Sequence, residues 1–253
     1  GLWLKLYKKI SLKISKTELF ILIFLGIIFS LSSLFLFEAF NYMDAGLACT
    51  ILFAYPLIVA IISKFIFKEQ ISKSVWLSLC AVLFGITLLY TGKPEEHLSI
   101  IGIVFVLLSS LSYAIYMVGI KHIKAIRHMK KDKMTFYVML LGLSVYILNL
   151  GFCTKLQPLN STLTIICAIM LAIFPTIISL EAINIGIKLI GPTKTAILGA
   201  LEPITALFFG VIIFKQILTI KISFGIILII SEVIFVISQN NKSTKHDLQK
   251  NFE

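Results

Sequence analysis

Charge is scarce in this chain. Asp, Glu, Lys and Arg make up 14% of the 253 residues while apolar types make up 58%; a water-soluble domain usually carries about 25% charged residues. With a mean hydropathy of +1.01, the composition excludes a soluble domain and predicts an integral membrane protein. Cysteine is sparse too. Cys49, Cys80, Cys153 and Cys167 fall in apolar runs at spacings that match no metal or redox motif, so they read as small packing residues without a disulfide framework. His97, His122, His128 and His246 lie between apolar runs or in the tail, which leaves no histidine for an intramembrane metal site. A Gly-rich loop followed by Lys and Ser/Thr is absent, so nothing supports direct ATP coupling. No His-rich, Ser/His or paired-carboxylate constellation can be assembled either, so neither an enzyme nor a cofactor is expected.

What the chain does have is long apolar runs, at about 19–40, 45–67, 74–92, 98–120, 134–154, 161–187, 193–214 and 220–238. Each is near the ~20 residues that cross a bilayer as a helix. They are continuously apolar, whereas barrel strands would alternate over roughly ten residues, so the expected fold is an all-α polytopic membrane protein of about eight transmembrane helices. The connections are short. GLWLKLYKKISLKISKTE at 1–18 is a basic segment with no cleavage site of the signal-peptide kind, and the polar tail from Gln239 to Glu253 is expected to be disordered. The chain begins with Gly1 instead of Met, which leads us to expect a longer reading frame.

The net charge of +11 acquires meaning once the basic residues are sorted by loop. Beginning with the N-terminus on one side, that side receives 19 Lys and Arg residues; the other receives 4, namely Lys93, Lys155, Lys215 and Lys221. This is the positive-inside pattern, which puts both ends in the cytoplasm. The basic charge therefore reports topology and not nucleic acid, although KHIKAIRHMKKDK at 121–133 also suits anionic lipid headgroups. Usage rich in Ile, Lys and Phe points to an AT-rich genome and a bacterial inner membrane.

The chain repeats itself. Pro56 is followed eleven residues later by Phe67-Lys68, and Pro203 by Phe214-Lys215; 203 − 56 and 214 − 67 both give 147. The same offset pairs Ser72 with Thr219, each a candidate helix N-cap, and Ser78 with Gly225. EAFNYMDAG at 38 also resembles EAINIGIKLIG at 181. Five spans separate the copies, an odd number, so they face opposite ways: an inverted repeat of the kind that places a transporter's binding site near mid-bilayer.

Pro203 lacks an amide hydrogen and leaves the carbonyl of Gly199 without its helical partner, as Pro56 does to Leu52. Carbonyls freed at that depth need other protein or a wet cavity. Pro56, Pro203 and Gly199 are thus candidate hinge residues. Ala196, Gly199, Ala200, Pro203, Ala206 and Gly210 form a small-residue stripe that permits close helix approach, and a packing role alone explains it as well. Glu202 flanks that stripe. At mid-bilayer a carboxylate must be paired, hydrated or protonated, so it suits either a cationic substrate group and a coupling proton or a hydrogen bond to a neighbouring helix. Glu232 poses the same problem with only Ser231 for company. Glu181, with Asn184, and Glu38 lie nearer the span ends and read as boundary residues, although Asn184 stays a candidate for the cavity.

IGPTKTAILGALEPITALFFGVIIFK at 190–215 and DAGLACTILFAYPLIVAIISKFIFKE at 44–69 resemble the signature helices of EamA-type permeases in the drug/metabolite transporter superfamily, over residues 19–238. The resemblance implies ten helices built as two inverted five-helix halves that move a small metabolite by alternating access. Here residues 19–92 would be the first repeat, its first two helices missing, and 93–238 the second. It further implies that Ser109, Ser112, Tyr113 and Tyr116 face a central cavity, although serines also pack helices. The family's Gly-Glu after each signature helix is Lys68-Glu69 and Lys215-Gln216 here, and Glu232 stands where the first copy has Gly85. The implied partners are a small-molecule solute, membrane lipid, a coupling proton and a second copy in a homodimer; no cofactor is implied. A non-transporting membrane subunit or scaffold, or a truncated inactive permease, is the alternative reading.

Overall fold

The computed structural model describes residues 12–89, 99–127, 129–152, 154, 161–214 and 219–250. Lys93, His97, His128, Cys153, Lys155, Lys215 and Gln216 lie outside them. Helix is the only regular structure among the described residues: α1 (Lys16–Ala39), α2 (Ala45–Leu52), α3 (Tyr55–Phe65), α4 (Lys73–Leu89), α5 (Ile100–His122), α6 (Lys124–Arg127), α7 (Lys131–Asn149), α8 (Thr162–Leu171), α9 (Ser179–Ile190), α10 (Pro192–Leu198), α11 (Leu201–Phe214) and α12 (Ile220–Lys250). A π-helical stretch, Ala172–Ile178, joins α8 to α9. Among the described residues, each of the eight apolar runs falls mainly on helix. Among the described residues, Lys16–Ala39, Ala45–Phe65, Ile100–His122 and Thr162–Ile190 are long and apolar enough to cross a membrane.

Local chemistry sets the boundaries. Ser15 and Glu18 form a reciprocal capping box at the start of α1, and the Asp44 side chain caps α2. The caps expected at Ser72 and Thr219 are both present: each hydroxyl accepts from a backbone N–H three residues on, Val75 and Ile222, at 3.3 Å. The tail departs from the expected disorder, because α12 continues to Lys250. Between Gln239 and Lys250 there is no Pro or Gly to interrupt the ladder.

Packing is uneven. α1 lies against α5 and α7, α3 against α5 and α10, and α4 against α12. Glycines permit two of these crossings. A Cβ on Gly142 would sit 2.8 Å from the Gly26 carbonyl oxygen, and one on Gly225 would sit 2.8 Å from that of Gly85. The core gathers Leu22, Leu25, Val59, Leu79, Met117, Ile197 and Ile229 around these contacts. By contrast, α8 buries no residue. Cys80 and Cys167 are exposed and Cys49 is half-buried, so the packing role expected of cysteine does not hold for Cys80 and Cys167; a thiol is apolar enough for an outer face.

Candidate functional site

Both prolines break their helices where the sequence requires it. The first broken span stops at Leu52 and resumes at Tyr55, the second at Leu198 and Leu201; 198 − 52 and 201 − 55 both give 146. The Leu52 carbonyl, deprived of its partner by Pro56, accepts a hydrogen bond from Ser110 Oγ at 3.0 Å. The Gly199 carbonyl accepts instead from the Glu202 amide at 2.9 Å, a tighter i→i+3 turn.

The two breaks meet. Tyr55, one residue before Pro56 and 5% exposed, donates from its hydroxyl to the Ala196 carbonyl at 3.4 Å. Its hydroxyl occupies the space beside Gly199, where a Cβ would come within 2.0 Å of it. The small-residue stripe thus admits a tyrosine from the other copy. Ala196 and Ala200 are fully buried, Pro56 is buried and Pro203 half-buried.

Around Tyr55 an aromatic and polar cluster extends through α5. Tyr113 meets Tyr55 edge-on at 4.9 Å and stacks on Tyr116 at 6.4 Å, since residues three apart share a helix face. Tyr116, fully buried, donates to Asn184 Oδ1 at 2.8 Å, and Asn184 Nδ2 donates to Thr135 Oγ1 at 2.9 Å. Three helices, α5, α9 and α7, are tied by one buried chain of hydrogen bonds, each polar group satisfied as burial demands. Asn184 is therefore an interior residue and not a boundary one. Its side chain starts from the buried face of α9, with Leu180 and Ile187.

Glu202 stands at the open edge of this cluster. It is exposed yet within electrostatic reach of Tyr55, Tyr113 and Cys49. Glu232 is half-buried on α12, whose main neighbour is α4; no hydrogen bond or ion pair joins it to the tyrosines among the described residues. Ser109 exchanges hydrogen bonds with Ser32 of α1, at 2.7 Å to the Ser32 carbonyl and 3.0 Å in return. Ser112 is buried as well, at 8% exposure. Glu38 accepts from Asn41 at the end of α1. Tyr55 and Thr135 were missed in the sequence. Tyr55 carried a signal, a phenol directly beside a mid-span break; Thr135, at the start of a span, carried none.

The chemistry available here is a set of ring faces and hydroxyls beside a carboxylate. Rings and carboxylate both favour a cationic group, and the hydroxyls supply hydrogen bonds.

Comparison with known proteins follows the same outline. The model of the EamA-like transporter family matches residues 2–91 and 100–238. The chain is 25% identical over 228 residues to a Bacillus subtilis (strain 168) protein described as uncharacterized transporter YdfC, covering 90% of this chain and 73% of that protein. It is 26% identical over 207 residues to uncharacterized transporter sll1319 of Synechocystis, covering 81% and 62% respectively. It is 28% identical over 193 residues to uncharacterized transporter YcbK of B. subtilis, covering 72% and 60%. The chain thus spans less than two thirds of the latter two. A solved crystal structure matches the fold with a TM-score of 0.78 at 15% identity, over 96% of this chain and 84% of the other.

Proposed function

The chain belongs to the EamA-like transporter family, and from that premise we propose that it moves a small organic solute by secondary-active alternating access. Membership makes it an integral membrane protein of a transporter family, not an enzyme. The finer reading is ours. Two inverted halves, residues 19–92 and 93–238, rock about Pro56, Pro203 and Gly199 in a bacterial inner membrane, with both chain ends in the cytoplasm.

One observation carries the proposal: the broken spans of the two halves touch through Tyr55 and Ala196, beside an exposed carboxylate and a row of tyrosines. A solute with a cationic or hydrogen-bonding group, amino-acid-like, nucleoside-like or drug-like, suits that lining. Glu202 would bind its charge or carry a coupling proton; Tyr113 faces it with the buried Tyr116–Asn184 pair behind, and Glu232 is the second-ranked acid. Flux in proteoliposomes tests this. Glu202→Gln should abolish pH-dependent, substrate-selective flux, while Pro56→Ala and Pro203→Ala should insert normally and slow it. Unaltered flux in all three would remove both the coupling and the hinge roles.

A non-transporting subunit is the second reading, and the bare face of α8 supports it, since apolar surface of that extent suits another helix as well as lipid. Wild-type protein that carries no solute but copurifies with a partner would establish that reading.

A further inference from the structure

A cavity of about 480 Å³ lies between the α3–α4 connection, the C-terminal end of α5 and the junction of α9 with α10. By volume it holds a small organic ion, because a water molecule takes only about 30 Å³. Its floor is fixed by Glu69, which accepts from Lys121 Nζ at 2.7 Å and lies 3.3 Å from His122 Nε2. Phe67 stacks on the His122 ring at 3.9 Å and holds it in place. Gly191, at φ +87°, lets the ammonium of Lys121 approach to 2.9 Å of the position a Cβ would take. Lys194 also lines the cavity and stands within electrostatic reach of Lys121. Lys121 and Lys194 place two ammonium groups among the lining residues beside the Glu69 carboxylate, and the apolar side chains of Ile71, Val75 and Ile190 strengthen their field by lowering the local dielectric.

A second feature points independently to a ligand. Thr193, 7% exposed, lines the same cavity, and its hydroxyl finds no hydrogen-bond partner among the described residues. Buried hydroxyls are normally paired.

We propose that this cavity binds an oxyanion, the carboxylate or phosphate of a small solute or of a lipid headgroup. Lys121 and Lys194 attract it, and the Thr193 hydroxyl donates to it. Glu69 is the internal competitor that holds Lys121 when no ligand is present. Glu69 belongs to the first half of the chain and its partners to the second, so an arriving anion would exchange a contact between halves for one with itself. The site is separate from the tyrosine cluster and does not depend on the transport reading.

Calorimetry on the full chain provides the test, with inorganic phosphate as the probe in phosphatidylcholine nanodiscs. Native mass spectrometry of nanodiscs containing phosphatidylglycerol is the lipid arm. Saturable phosphate binding identifies a soluble oxyanion; retention of phosphatidylglycerol without phosphate binding identifies the headgroup. Lys121→Gln and Lys194→Gln should each weaken whichever binding is found by about ten-fold, the value of one charged hydrogen bond, while Lys121→Arg keeps most of it. Glu69→Gln should tighten binding several-fold, a gain that misfolding cannot imitate. Silence in both arms, or binding indifferent to Lys121→Gln, Lys194→Gln and Glu69→Gln, overturns the proposal.

Discussion

The two broken spans share a proline eleven residues before the same Phe-Lys pair, yet their surroundings differ. In the first, Tyr55, Pro56, Val59, Ala60 and Ser63 are all buried, because α3 lies between α5 and α10. In the second, α10 is buried but α11 exposes Leu201, Phe208, Phe209 and Ile212. The membrane-length spans show the same inequality: 28% of the most apolar window of Lys16–Ala39 is buried, against 6% for Thr162–Ile190. The repeat therefore specifies where the backbone breaks, while the neighbours available to each copy decide what encloses the break.

The sharpest way to break this comparison is at Gly199. Gly199→Ala forces a Cβ onto the Tyr55 hydroxyl and should cost up to about 3 kcal/mol, as overpacking does, read as a lower midpoint of thermal unfolding in detergent. Adding Tyr55→Phe should return part of that loss. Leu52→Met, at the position aligned with Gly199, should cost well under half as much; equal losses would erase the asymmetry between the copies.

Within Thr162–Ile190 the inner half carries the anchoring. Asn184→Ala leaves the Tyr116 and Thr135 hydroxyls without their shared partner and should cost about 2 kcal/mol, whereas Ile169→Ala on the exposed α8 should stay within about 0.5 kcal/mol. The same unfolding assay compares them. Ser110→Ala should cost about 1 kcal/mol by stranding the Leu52 carbonyl. Among the described residues no side chain does the same in the second copy, where the Glu202 amide does that work. The smallest effect is spectroscopic: a spin label at Cys167 should be readily relaxed by oxygen dissolved in lipid, and one introduced by Leu25→Cys should not. Equal protection would mean that a further helix or a second copy covers α8.

Much of the architecture was legible because membrane helices announce themselves by length and apolarity, and because Pro56 and Pro203 break a helix wherever they stand. Ser72 and Thr219 were readable as caps for the same local reason. The partners of the freed carbonyls were not. Ser110 reaches Leu52 from 58 positions away, and nothing local in either segment encodes that pairing. Asn184 could be read as a boundary residue or as a cavity one because distance from the span end was the only local guide, and its hydrogen bonds to Tyr116 and Thr135 depend on three helices converging. Glu202 was legible as an oddity, yet its place at the rim of the tyrosines depends on how loosely α11 is held.

The π-helical stretch at Ala172–Ile178 carries a geometric reserve. A wide turn accommodates one residue more than the α ladder would, and one residue corresponds to about 100° of rotation. Before this stretch α8 buries no residue, whereas after it α9 buries Leu180, Asn184 and Ile187. Tightening the wide turn would swivel one half of the span against the other without unfolding either, so the same rod can present two different sides to its neighbours.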